Sequence, residues 1–458
     1  MTVNYAPPLA IAPAGETRKV AVIGSGVSGV SAAWSISKRH DVTLYESEAQ
    51  PGGHTCTVDI DYAGTPISVD VGFIVFNARN YPELTALFDH FDVATEDSNM
   101  SFALSLDNGW REWCGQNLLT LFAQKRNLLS PSFWWMLREI LRFNRQSLAD
   151  RESGLIDRLS IGQYLNTRGF SNRFRDDYLI PMAAAIWSTP RIRMLDFPAR
   201  SFINFFENHR LLEIVPPLWQ TVSGGSRNYL DRVIDDFRGT LRCSSPVRSV
   251  RRVIGGVAVT TEDGSTAIYD DVVLASHTDQ SLAMRGSDAT VEERDILSAI
   301  PYSPNRVLLH SDASFMPRRR TAWAAWNYLR DSGGADEGSI CVTYWMNRLQ
   351  NLDYSKPLFV TLNPVREPAA GTVFGEWSFD HPLFDEGAFQ AQQMLRGIQG
   401  DSGIWYAGAW TGYGFHEDGL RSGLAVAEAL GCVIPWRDTA AAPNQGHNAS
   451  HALARAAS

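Results

Sequence analysis

The stretch RKVAVIGSGVSGVSAAWSISKRHDVTLYESEAQPGGHT, residues 18–55, decides the fold of this 458-residue chain. KVAVIG (19–24) is an apolar run closed by glycine, the pattern of a strand buried on both faces. VSGVSAAWSIS (27–37) places Val27, Val30, Ala33 and Trp34 at helical spacing, and DVTLYE (41–46) reads as a second strand. Together they form a βαβ unit. Gly24, Gly26 and Gly29 fall at its first turn in G-x-G-x-x-G spacing. The first glycine permits the turn, the second lets the backbone meet a pyrophosphate, and the third lets the helix pack on the strand. Val27 and Ser28 open the helix whose N–H groups would face the phosphates. Glu46 ends the second strand about 20 residues on, where a carboxylate binds ribose hydroxyls and repels a 2′-phosphate. The implied ligand is NAD or FAD.

PGGHT (51–55) favours FAD, because a second glycine pair past the acidic strand end adds another close approach to the diphosphate; an ordinary Pro-Gly turn is the alternative. The net charge of −9 argues against a nucleic-acid partner. Apolar residues make up 44% and charged residues 20%, enough for a sizeable core divided among two or three domain-sized units. Cys56, Cys114, Cys243, Cys341 and Cys432 form no CxxC pair, so neither a metal site nor a disulfide framework is expected, and a reducing cytoplasm fits. The first 18 residues lack the pattern of a signal peptide. No apolar run reaches the length of a membrane-spanning helix.

These residues resemble the flavin-containing amine oxidase superfamily, which includes monoamine oxidases, protoporphyrinogen oxidases and phytoene desaturases. The match lies at Gly24-x-Gly26-x-x-Gly29, Glu46, Gly52-Gly53, VDVGFIVF (69–76, with Gly72 and Phe73), SPVRSV (245–250) and YAGAW…GLRSGLAVAEAL (406–430). HEDGLRSG (416–423), LLHSDASFMPRRRTAWAAWNY (308–328) and VTYWMNRLQ (342–350) resemble a bacterial subgroup that accompanies cyclopropane-fatty-acid-synthase-like methyltransferases. The resemblance implies FAD, an acyl-chain substrate and a methyltransferase partner. It adds Gly53, Thr55 and Gly408 to the cofactor contacts, with Val247 as the backbone contact to adenine. Two positions depart from it. His54 stands where relatives carry arginine and is expected at the diphosphate, and Ala409 and Trp410 follow Gly408 where relatives often carry an acid.

In such folds the last loop brings a helix N-terminus against the flavin. YAGAWTGYGFHEDGLRSG (406–423) is that loop, with Asp418 expected as N-cap and the amides of Gly419 and Leu420 expected at the pyrimidine edge. Loss of Glu417 is expected to be better tolerated there than loss of backbone freedom at Gly419.

The expected architecture is α/β: a discontinuous Rossmann-type FAD-binding domain (18–80, 223–299 and 399–436) of the glutathione-reductase kind. An α+β substrate-binding domain is built from two inserts, 81–222 and 300–398. Residues 1–17 are expected to be flexible and 437–458 disordered. SIGQ (160–163) fits a capping box. In 117–145, Trp134, Trp135, Leu137, Ile140 and Leu141 alternate with Arg138, Arg142 and Arg145 at helical spacing. This suits either a core helix with a solvated face or an interfacial helix on the inner face of a membrane. FINFFENHRLLEIVPPLW (202–219) is expected to line a tunnel.

Hydride transfer to a flavin asks the protein mainly to position a C–H bond and exclude water. Candidates for that work are Trp326, Asn327 and Tyr344, with His416 as a proton carrier near neutral pH. Lysine occurs only at positions 19, 38, 125 and 356, whereas amine oxidases of the superfamily usually hold one near the flavin. The expectation is an FAD-dependent oxidoreductase taking hydride from a long acyl chain of a membrane phospholipid. A polyene or isoprenoid desaturase, an amine oxidase and a non-catalytic flavin-holding subunit are the alternatives.

Overall fold

The structure is a computed structural model and describes residues 16–213, 217–330 and 341–437. Nearly all of both termini therefore lies outside the described residues.

Lys19–Ile23 is the central strand of a five-stranded parallel sheet. It pairs with Asp41–Tyr45 on one side and Asp271–Leu274 on the other, and Thr240–Arg242 and Ile404–Tyr406 form the edges. Val20, Ala21 and Val22 are fully buried, which is why this strand reads as continuous rather than alternating. The strands come from three separate stretches of chain. Asp70 ties the first two of these stretches to the second insert: its carboxylate accepts from Thr57 Oγ1, the Ser226 amide and hydroxyl, and Gln350 Nε2.

The Val27–Ile36 helix is buried at every residue but Val27. Its small side chains let it lie between the sheet and the closing helix, His416–Ala429. A Cβ on Gly29 would sit 1.8 Å from Gly24 O, and one on Gly423 would sit 2.1 Å from Ser28 O. A Cβ on Gly419 would sit 2.7 Å from Val27 Cγ1. Glycines 419 and 423 thus permit the crossing of two helices.

Both inserts contribute to a seven-stranded mixed sheet. Phe102–Leu106 and Arg111–Cys114 come from the first. The second supplies Tyr302–His310, Trp326–Arg330, Cys341–Trp345, Phe359–Leu362 and Val373–Pro382. The inserts join where Trp326–Arg330 runs parallel to Phe102–Leu106. Ser160 and Gln163 form the capping box that starts the Ile161–Thr167 helix. In the Ala199–Asn208 helix, Phe202 and Phe206 stack on each other at 4.3 Å within the core rather than lining a tunnel. Phe205 reaches Phe415 of the closing loop at 5.0 Å.

Candidate functional site

The turn after the first strand carries the features of a diphosphate cradle. Gly24 adopts φ +95°, and a Cβ there would meet Ala275 O at 2.8 Å. Gly26 differs: a Cβ built on it meets nothing within 4 Å. The Val27–Ile36 helix has no acid in its first turn and no side-chain cap. Its first intrahelical bond runs from Val30 N to Gly26 O, so the amides of Val27, Ser28 and Gly29 lead the helix. A helix start of this kind suits an anion. The second glycine pair adjoins it, since a Cβ on Gly53 would lie 3.2 Å from Gly26 Cα. The residues present fit the diphosphate of a dinucleotide.

Glu46 closes the neighbouring strand and is buried. Its carboxylate accepts from Ser25 N, Ser25 Oγ, Ser47 Oγ and Glu48 N. These four bonds use the capacity of a carboxylate, so a ribose hydroxyl would replace one of them. The Ser25 hydroxyl is the replaceable partner, being also an acceptor for Gly52 N. Ser245 N donates to Glu46 O, which brings the segment leading to Val247 alongside this strand end.

Residues 54–56 and 71–73 form a paired strip: Phe73 N donates to His54 O and Val71 N to Cys56 O. Gly72 is required there, because a Cβ would fall 2.1 Å from His54 O. Phe73 stacks on His416 with centroids 4.0 Å apart. His416 Nε2 contacts the Tyr229 hydroxyl, which is itself 2.6 Å from Thr55 Oγ1. Burial pushes the imidazole down to about 3, so His416 is neutral across the physiological range. Its contacts with Phe73 and Tyr229 are those of a packing and hydrogen-bonding residue.

The closing helix corrects two further expectations. Asp418 is its third residue rather than its N-cap, and its carboxylate reaches back to accept from Tyr413 N and Phe415 N. Gly419 N already donates to Phe415 O, and Leu420 is buried in the core. The leading amides are therefore those of His416, Glu417 and Asp418, one turn earlier than expected. Glu417 also holds neighbouring chain. Its carboxylate accepts from Glu83 N and Leu84 N, capping the Pro82–His90 helix. Burial raises Glu417 to about 7 and Asp418 to about 6.

Across from these elements the large sheet presents an aromatic wall. Trp326 and Tyr344 are register partners on adjacent strands, with rings edge to face at 4.8 Å. Both keep part of their surface accessible, as do Trp377, Phe379 and His381 on Val373–Pro382. Asn327 turns the other way. It is fully buried, accepts from Ala324 N, and donates to Ala324 O and Thr343 O. Its amide is committed to the fold and free for no substrate.

His54 was expected at the diphosphate. Its ring instead packs 4.9 Å from Phe379 and 5.4 Å from His381, with His277 at 6.4 Å. Burial lowers all three histidines, His381 to about 4, so none carries charge at neutral pH. His54 Nε2, His277 Nδ1 and Trp326 Nε1 are buried without a hydrogen-bond partner. Such orphaned groups beside a dinucleotide cradle fit a polar heterocycle. Sequence reasoning missed His277, Tyr302 (stacked on it at 4.3 Å), Phe379 and His381. No motif marks them, since the loop before the Thr278–Arg285 helix and two strands of the second insert, Tyr302–His310 and Val373–Pro382, bring them together.

The family model for flavin containing amine oxidoreductases matches residues 27–349. A curated relative, a carotenoid phi-ring synthase of Streptomyces griseus, is 29% identical over 302 residues. That match covers 58% of this chain and 54% of the relative, so the chain spans about half the length of the curated protein it matches. Among solved structures, a fatty acid isomerase from P. acnes that produces CLA aligns with TM-score 0.62 at 15% identity, covering 90% of this chain and 98% of its own. A putrescine oxidase variant aligns at 0.63 and 14%, covering 90% and 98%. Cyclohexylamine oxidase from Brevibacterium oxydans aligns at 0.62 and 14%, covering 91% and 99%. These likenesses show the fold. With the family match over most of the chain and the cradle at Gly24–Gly29, the chain belongs to the flavin-containing amine oxidoreductase family and is an FAD-dependent oxidoreductase.

Proposed function

We propose that this oxidoreductase removes hydride from a C–H bond of a long acyl chain, such as a methylated or unsaturated fatty acyl group of a phospholipid. The observation that carries the reading is the wall of Trp326, Tyr344, Trp377 and Phe379, together with histidines that burial keeps neutral. A wall without a charged side chain suits a hydrocarbon. Lys356, the lysine of the second insert, bonds Thr65 Oγ1 instead of facing this wall. The likeness to a fatty acid isomerase and to a carotenoid phi-ring synthase is in keeping with it.

Bound FAD supplies the hydride acceptor. The protein's own contribution is to hold the diphosphate at Val27–Gly29, to lay the substrate C–H along the aromatic wall, and to keep water out. Anaerobic addition of detergent-dispersed acyl lipids should bleach the visible band of the oxidised flavin. If acyl lipids leave it unchanged while a primary amine bleaches it, the reading is wrong and amine oxidation takes its place.

A further inference from the structure

Away from the aromatic wall, the first insert exposes apolar side chains that the oxidoreductase reading leaves unexplained. Leu118, Leu119 and Leu129 keep 75%, 76% and 88% of their surface accessible, and Trp110, Leu128, Trp134 and Trp135 about half or more. They come from the turn before Arg111–Cys114, the Leu118–Leu121 helix, the 125–129 turn and the start of Pro131–Glu152. These pieces are tied into one face. Trp134 Nε1 donates to Leu128 O, Phe122 packs 5.3 Å from Trp134, and Arg126 lies 3.8 Å over Trp110. The Pro131–Glu152 helix has its own core side at Phe133, Met136 and Phe143, so the exposed tryptophans are not needed for packing.

The charge pattern of this face identifies what it meets. From Asn108 to Ala149 the chain has two acids, Glu112 and Glu139, and both are buried and hydrogen-bonded inward. Lys125, Arg126, Arg138 and Arg145 are exposed. The face is therefore apolar and cationic with no exposed acid along this stretch. Leucine and tryptophan enter the acyl boundary of a bilayer, while long basic side chains reach its headgroups. We propose that this face docks the enzyme on an anionic phospholipid bilayer.

The test is co-sedimentation of the FAD-loaded enzyme with vesicles of phosphatidylglycerol mixed with phosphatidylcholine, and with vesicles of phosphatidylcholine alone. The enzyme should pellet with the mixed vesicles and much less with the neutral ones, and added salt should release it. The triple variant Leu118→Ser, Leu119→Ser, Leu129→Ser should weaken partitioning about tenfold or more. Lys125→Glu with Arg138→Glu should do the same and remove the salt dependence, with flavin spectrum and melting temperature unchanged in both variants. Failure of the wild-type enzyme to bind mixed vesicles overturns the proposal, as does undiminished binding by both variants. Sedimentation velocity showing a dimer that the leucine variant dissociates overturns it too, by assigning the face to a second copy. The outcome is independent of the substrate: docking without flavin bleaching by any lipid leaves this proposal standing and removes the acyl-chain reading.

Discussion

The helix that starts at Val27 and the helix that starts at His416 pack against each other through glycine, yet their N-termini are built from opposite chemistry. The first has no acid in its opening turn and a glycine before it with open space where a side chain would be. The second opens with Glu417, buried, and Asp418, partly buried, one capping the Pro82–His90 helix and the other tying down its own approach loop. The same backbone amides thus take two roles. Where the protein supplies no negative charge, the helix start is left for an anionic ligand; where carboxylates are present, they hold neighbouring chain in place.

The comparison breaks most visibly at the glycines of the crossing. Gly423→Ala should cost about 1–3 kcal/mol or more, because the Ser28 carbonyl oxygen occupies the space of the new methyl group. Urea unfolding measures it, and a Gly423→Ala protein as stable as wild type would show that the helices do not approach as described.

Next comes pH. His209, His310 and His381 sit at about 4 and His416 at about 3 in the folded chain, all lowered first by burial. The unfolded chain binds these protons near pH 6.5, so the stability is complete above that value and lost as pH falls toward 4. Thermal unfolding at pH 7 and pH 5 should show a clear drop at the lower pH; an unchanged midpoint would contradict the burial of these rings.

Glu417→Ala should cost about 1–3 kcal/mol by leaving the Glu83 and Leu84 amides without an acceptor. The sign of its pH dependence is opposite to that of the histidines. A carboxyl raised to about 7 on folding favours the folded state below its unfolded value near 4.3, and that advantage is lost as pH rises through about 7. Comparing Glu417→Gln with wild type between pH 5 and 8 should therefore show a shallower decline in the variant. The smallest effect belongs to His416→Phe, which keeps the stack on Phe73 and loses the contact with Tyr229. It should leave the pH–rate profile near neutrality unmoved, whereas a lost limb there would restore His416 as a proton carrier.

Much of the first helix start was legible in sequence because its chemistry is local. A strand, three glycines at fixed spacing and a carboxylate at the next strand end are all read within 30 residues. The closing helix was misread for the converse reason. Asp418 looks like an N-cap until the chain places Tyr413 and Phe415 behind it, and Glu417 shows no partner until Pro82–His90 arrives from the first insert. Asn327 reads as a polar group near a site, but its strand turns it into the sheet. His54, His277 and His381 meet across three segments, and no spacing rule connects positions so far apart in the chain.

The most direct measurement of the central claim is the FAD affinity of Gly26→Val, followed by recovery of free-flavin fluorescence on dilution of the loaded protein. Gly26 has φ −62° and ψ 175°, a conformation valine accepts, with no neighbour within 4 Å of the new Cβ. The variant should therefore fold with a melting temperature close to that of wild-type apoprotein. Its FAD affinity should fall about a hundredfold or more, because the added side chain fills space needed by the diphosphate. A folded Gly26→Val protein that holds FAD as tightly as wild type would contradict the assignment of this helix start as the cofactor's diphosphate site.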